Sequence, residues 1–219
     1  MPKIIVFLGP SLDTGSAEKI LSAEYRPPAK RGDLIAAARD GATIIGLIDG
    51  VFHQESAVAH REILAALKGG IRVIGSSSMG ALRAAEMDTL GMVGIGEIYR
   101  MYKSGELESD DEVALVFDPN SGLSLSEPLI NIRFTLKLAN ETGIIDTTVY
   151  DALLASARSL FYPKRTYPAI VSGSGEAVDT ATRKRFLAWV DTNACDQKRH
   201  DAIAALEYIR DLSCKGTEY

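Results

Sequence analysis

Three short apolar runs constrain the fold of this chain more than anything else in it. Ile4-Ile5-Val6-Phe7-Leu8, the segment from Thr43 to Ile48, and Ile71 to Ile74 are rich in β-branched residues. They end at the turn-forming stretches Gly9-Pro10-Ser11, Asp49-Gly50 and Gly75. Continuous apolar runs of this kind read as strands buried on both faces. The segments between them carry helical spacing. Ser16 is placed to cap a short helix over Ala17 to Leu21, and Asp33 to cap one over Leu34 to Arg39 that stops at Gly41. Val58, Ile63, Leu64 and Leu67 then recur at helical intervals before Gly69-Gly70. Parallel strands need long crossovers and helices supply them, so this rhythm predicts a mostly parallel sheet with flanking helices. Ligands of such sheets gather at the carboxyl ends of the strands. The loops Gly9 to Ser11, Asp49 to Phe52 and Gly75 to Gly80 are therefore the candidate pocket.

The third loop, Gly75-Ser76-Ser77-Ser78-Met79-Gly80, passes directly into Ala81-Leu82-Arg83-Ala84-Ala85-Glu86, a stretch of high helix propensity. The first amides of a helix lack internal partners and carry the positive end of its dipole. A serine on the turn can set its hydroxyl where those amides would stabilise an oxyanion, and Ser78 is the best placed to do so. The phosphate loop G-x-x-x-x-G-K-[ST] fits Gly75 and Gly80, but Ala81 and Leu82 stand where its lysine and hydroxyl belong, which argues against nucleoside triphosphates. The nucleophile elbow G-x-S-x-G fits Ser78 and Gly80, with Ser76 in place of the first glycine. The structural alternative is that the serines cap a helix and the small residues permit close packing.

Around these elements, the prolines of Pro27-Pro28-Ala29-Lys30-Arg31-Gly32-Asp33 forbid helix and make a stiff loop. Gly91 to Gly96 reads as a turn, followed by a helix through Ile98, Tyr99 and Tyr102 that stops at Gly105. The acidic run Glu106 to Glu112 lacks the glycine and alternation of a calcium loop and reads as a solvated edge or partner contact before a strand over Val113 to Phe117. From Leu129 the pattern is helical, with further helices over Asp146 to Leu160, Glu176 to Val190 and Cys195 to Leu212. The two prolines of Phe161 to Pro168 break that series. The fold class is α/β, a mostly parallel sheet with flanking helices followed by a helical C-terminal portion, with the division expected at residues 1–120 and 121–219.

A chain of 219 residues, nearly half hydrophobic and with a formal charge of -5, can bury a sizeable core and gives no sign of a nucleic-acid partner. Cys195 and Cys214 share no zinc spacing and are expected as reduced thiols, with no metal and no cofactor. Ile4 to Leu8 is too short for a signal segment and no run reaches membrane-spanning length, so a cytoplasmic protein with no membrane contact is expected.

These pieces together resemble the TfuA-like family. The resemblance is carried by Phe7 to Ser11, Pro27-Pro28 with Gly32-Asp33, Ile48 to Phe52, His60 to Leu64 and Ser78 to Glu86. It continues through Gly91-Met92, Asp110 to Ala114 and Leu125 to Leu129. It implies an accessory protein for YcaO enzymes in peptide backbone thioamidation. Such a protein hydrolyses a thiocarboxylated sulfur carrier of the ThiS type to release sulfide through a Ser-Lys pair. The partners implied are a YcaO-type enzyme, that carrier and the peptide substrate.

The family's serine maps onto Ser78. Where relatives carry a lysine beside the histidine of the His60 motif this chain has Arg61, which cannot act as a base. Lys30 is therefore the first candidate, with Lys68 and Lys103 as substitutes. Gly9, Ser11, Asp49, Met79 and Gly80 are the expected oxyanion or site-lining residues, and Arg31 and Arg83 the expected cations for the carrier tail. His60 is expected to pack in the core with its helix, and Glu62 and Glu86 to pair with arginines. The rival reading is a non-catalytic adaptor that docks carrier or peptide on the YcaO enzyme.

Overall fold

The computed structural model describes residues 2–52, 57–118 and 123–215. The chain divides into two compact units, Met1–Asp110 with Lys198–Tyr219, and Asp111–Gln197. The expected boundary at residue 120 lies outside the described residues. In the first unit, strands β1 (Ile4–Phe7), β2 (Glu24–Arg26), β3 (Ile44–Leu47), β4 (Arg72–Ser76) and β5 (Val93–Ile95) form one sheet in the order β2-β1-β3-β4-β5. All four pairings are parallel. Helices α1 (Thr14–Glu18), α2 (Asp33–Arg39), α3 (His60–Lys68), α4 (Met79–Met87) and α5 (Glu97–Ser104) belong to the same unit. The second unit holds α6 (Leu129–Glu141), α7 (Thr147–Ser159), α8 (Tyr167–Gly173) and α9 (Thr180–Asn193). The chain then returns to the first unit as α10 (Gln197–Lys215), a helix expected with the helical portion that groups instead with the sheet.

The side-chain period of two explains why the strands are apolar throughout. Ile5, Phe7, Ile45 and Leu47 share a core with Leu34, Ala37, Ile63, Ala66 and Ala84. Their neighbours Ile4, Val6, Leu8, Ile44 and Ile48 share another with Ala17, Leu21, Ala202, Ala205, Leu206 and Ile209. Each face of the sheet is thus covered, the second partly by α10. Gly46 leaves room there, since a Cβ on it would lie 3.0 Å from Ile209 Cδ1.

Several elements differ from the sequence expectation. Asp13, not Ser16, caps α1, its carboxylate accepting the Ser16 amide at 2.8 Å. Gly32 is the N-cap of α2, and Asp33 lies in its first turn. The segment before the prolines forms the edge strand β2, and Val93–Ile95 is an edge strand rather than part of a turn. Both are three residues long and depend on pairing with a neighbour rather than on their own pattern. Val113 to Phe117 forms no strand and has only an isolated bridge between Phe117 and Ser124. Pro168 sits in the first turn of α8, where its missing amide costs nothing.

Within the second unit, α6, α7, α8 and α9 bury Ile132, Leu136, Leu153, Ile170 and Phe186 together. Part of the acidic run turns inward. Glu112 takes a two-bonded ion pair from Arg133 at 2.8 and 2.6 Å, and Asp111 pairs with the fully buried Arg165. Among the described residues no cluster of histidine, cysteine and carboxylate side chains could hold a metal ion, and neither Cys195 nor Cys214 is in a disulfide.

Candidate functional site

The chain turns from β4 into α4 within two residues, Ser77 and Ser78. Ser77 has φ 63°, the only non-glycine residue with positive φ among those described. An L-residue enters this left-handed region at a cost, so the surroundings must hold it there. The Ser78 amide folds back to the Ser76 carbonyl at 2.7 Å, and α4 starts at Met79 with Ser78 as its N-cap. Ser78 is only 2 % exposed, yet its hydroxyl makes no hydrogen bond among the described residues. The Met79 amide likewise has no acceptor among them, whereas the Gly80 amide donates to the Ile48 carbonyl at 3.3 Å. Of the two amides expected to hold an oxyanion, one is open and one is engaged.

Gly80 has a steric role instead. Its α-carbon rests against the backbone of β3, and a Cβ there would overlap the Leu47 carbonyl, an atom that cannot swing aside. Gly80→Ala should therefore cost at least about 3 kcal/mol. A thermal melt is expected to show a midpoint lowered by roughly 6–12 °C; an unchanged midpoint would show that α4 can lift from β3.

The carboxyl ends of β1 and β3 meet this turn where the strand order reverses, the position at which open parallel sheets bind ligands. Asp49, 2 % exposed, organises it. Its Oδ2 accepts the Gly9 amide at 2.8 Å and the Ser11 amide at 3.1 Å, and its Oδ1 accepts the Ser11 hydroxyl at 2.7 Å. Ser77 Oγ lies 2.9 Å from Ser11 Oγ and 2.9 Å from the Lys198 carbonyl, so its one proton has two acceptors. Above β1, the stiff loop crosses to the end of β3. The Ala29 amide donates to the Asp49 carbonyl at 2.9 Å and the Val51 amide to the Ala29 carbonyl at 3.0 Å. That bridge ties the stiff loop to the segment that follows β3.

The first turn of α10 completes the site from the other side. Ser76 Oγ reaches the Ile95 carbonyl at 2.8 Å and the Asp201 carbonyl at 2.9 Å. The Asp201 carboxylate accepts the Glu97 and Ile98 amides at 3.1 and 2.8 Å, capping α5, whose N-cap Gly96 has no side chain to do it. Lys198, one turn earlier, is a buried side chain. Sequence reasoning missed both residues, although a signal existed. Lys198 and Asp201 fall on the same helical stripe as Ala202, Ala205 and Ile209, and charged residues on an apolar stripe call for an internal partner.

The other expected residues are spread around this centre. Gly9, Ser11, Asp49, Ser78, Met79 and Gly80 come together at it. Lys30 and Arg31 are exposed on the stiff loop, and no hydrogen bond joins Lys30 to Ser78 among the described residues. Arg83 Nε donates to the Val58 carbonyl at 3.0 Å and its Nη1 pairs with Glu86 at 2.6 Å. Lys68 is exposed at the end of α3. Lys103 bonds Asp88 at 2.7 Å, and that hydrogen bond raises its pKa, keeping it an ammonium. His60 does not pack in the core: it is exposed, with Nε2 2.8 Å from a Glu86 oxygen. Buried Glu62 accepts the Gly32 amide at 2.7 Å and the Ala59 amide at 3.4 Å.

Comparison with known proteins found no match among curated proteins. The family model described as TfuA-like protein matches residues 49–166, more than half of the chain. Asp49, the three serines and α4 lie inside the matched stretch, whereas β1 and α10 lie outside it. This chain belongs to the TfuA-like family, which is associated with YcaO partners.

Proposed function

We propose that this chain serves YcaO-dependent thioamidation of a peptide backbone by hydrolysing a thiocarboxylated ThiS-type carrier, so that sulfide is produced for the YcaO enzyme. The observation that carries the reading is the Ser78 hydroxyl, uncommitted among the described residues, beside the open Met79 amide at the head of α4. A lysine in its neutral form takes the Ser78 proton as Oγ attacks the carbonyl carbon of the thiocarboxylate, and the Met79 amide faces the developing oxyanion. The C–S bond breaks and sulfide leaves with the proton the lysine holds. Water then cleaves the acyl-serine ester, returning a carrier carboxylate and the free hydroxyl. In sum, one thiocarboxylate and one water give one carboxylate and one hydrogen sulfide.

Two lysines compete for the base. Lys30 has the reach of an exposed loop, and Lys198 has burial and a backbone carbonyl bonded to the neighbouring serine. The turn of α10 that carries Lys198 is bonded to the serine turn, so we assign the base to Lys198 and leave Lys30, with Arg31, to attract the anionic tail. Sulfide release from a thiocarboxylated carrier tests the assignment. Lys198→Ala is expected to lower kcat about 10²-fold or more, and Lys30→Ala to raise KM with kcat little changed. A Lys30→Ala protein that loses kcat while Lys198→Ala keeps it would reverse the two roles.

The burial of Ser78 favours a second reading, the non-catalytic adaptor. That reading predicts wild-type protein that binds the YcaO enzyme yet releases no sulfide from the carrier, measured with both proteins present.

A further inference from the structure

We infer that Ser77 is a positioning residue, a clasp that sets Ser78 and the Met79 amide by tying the serine turn to α10 and to the Asp49 cluster. This rests on Ser78 being the reacting serine of the proposed function. The backbone at Ser77 would be unstrained with glycine, yet a side chain with a Cβ occupies it at φ 63°. What that side chain supplies is one hydroxyl, completely buried and within 2.9 Å of two oxygens from distant parts of the chain. Ser11 brings the carboxyl end of β1, already fixed by Asp49. The Lys198 carbonyl brings the first turn of α10, which Asp201 fixes to the start of α5.

The same geometry separates the two serines by task. Ser77 Oγ lies between those acceptors, with its residue fully enclosed, and a hydroxyl so placed cannot approach a carbonyl carbon without breaking them. Ser78 Oγ has no such tie among the described residues. Ser76, bonded to the Ile95 and Asp201 carbonyls, anchors the strand end before the bend. Two serines therefore hold the third.

The test uses the full chain with Ser77→Gly, which permits the backbone angle and removes only the clasp. Hydrogen exchange of the peptide covering residues 76–80 is expected to quicken about tenfold, with exchange across β1 and β3 unchanged. In sulfide release, kcat should fall about tenfold at constant KM, because carrier binding is untouched. Ser11→Ala, which leaves the Lys198 carbonyl as the sole acceptor, should give a smaller increase of about threefold in exchange at the same peptide. Wild-type exchange at the turn in both variants would overturn the inference. So would a fluorophosphonate adduct located by mass spectrometry on Ser77 instead of Ser78. Should Ser78→Ala release sulfide at the wild-type rate, the hydrolase reading falls, while the exchange measurement still decides whether Ser77 holds the turn.

Discussion

A chain that stops after Asp196 is expected to lose the fold of its first unit. Ala202, Ala205, Leu206 and Ile209 of α10 are all buried at 1 % exposure or less, in the core shared with Val6, Ile44 and Ile74. Burying leucine and isoleucine side chains contributes about 1.5–3 kcal/mol each, and the two alanines add about 0.8 kcal/mol apiece. The total, roughly 5–8 kcal/mol, is comparable with the whole stability of an ordinary domain, about 5–15 kcal/mol. Removing the helix also uncovers the sheet face, takes one acceptor each from Ser76 and Ser77, and strips the Glu97 and Ile98 amides of their carboxylate. Circular dichroism and proteolysis should report an unfolded or fluctuating first unit. Leu206→Ala gives the graded version, a loss of about 2–5 kcal/mol read from denaturant midpoints. A truncated protein that melts like the full chain would mean that α10 merely rests on the sheet.

Ser78→Ala is expected to leave that fold intact and to end sulfide release. The substitution removes a hydroxyl that bonds nothing among the described residues, so the melting midpoint should move little. If Ser78 forms the acyl intermediate, kcat for the thiocarboxylated carrier should fall at least about 10³-fold, since the remaining amide stabilises an oxyanion only when a nucleophile creates one. A serine-directed reagent should label the wild type at Ser78 and leave the variant untouched. Wild-type rates from Ser78→Ala would remove the nucleophile and favour the docking function.

The sheet was legible in the sequence because its central strands are buried on both faces. Ile4 to Leu8, Thr43 to Ile48 and Ile71 to Ile74 announce themselves without any partner in view. The edge strands were not, since Glu24–Arg26 and Val93–Ile95 carry no alternation and exist only by pairing with β1 and β4. Asp110–Glu112 and Val113 to Phe117 misled for the opposite reason. Their composition suits an exposed acidic edge and a strand, but buried Arg165 and half-buried Arg133 draw Asp111 and Glu112 inward. At the site, the loops after three strands could be placed by topology, which brought Gly9, Ser11, Asp49 and Ser78 together on paper. Lys198 and Asp201 could not, because they approach from a helix more than a hundred residues further along the chain. Nor does a row of three serines reveal which one takes the left-handed bend.

The return of α10 has a bearing on how the protein is made. Residues 111–197 separate the sheet from the helix that floors its serine turn, so during synthesis the five strands leave the ribosome well before Lys198 and Asp201 do. Until those residues emerge, Ser76 and Ser77 lack two of their acceptors. A nascent chain thus carries Ser78 without the contacts that frame its turn, and that frame is complete only once the intervening helices have been translated.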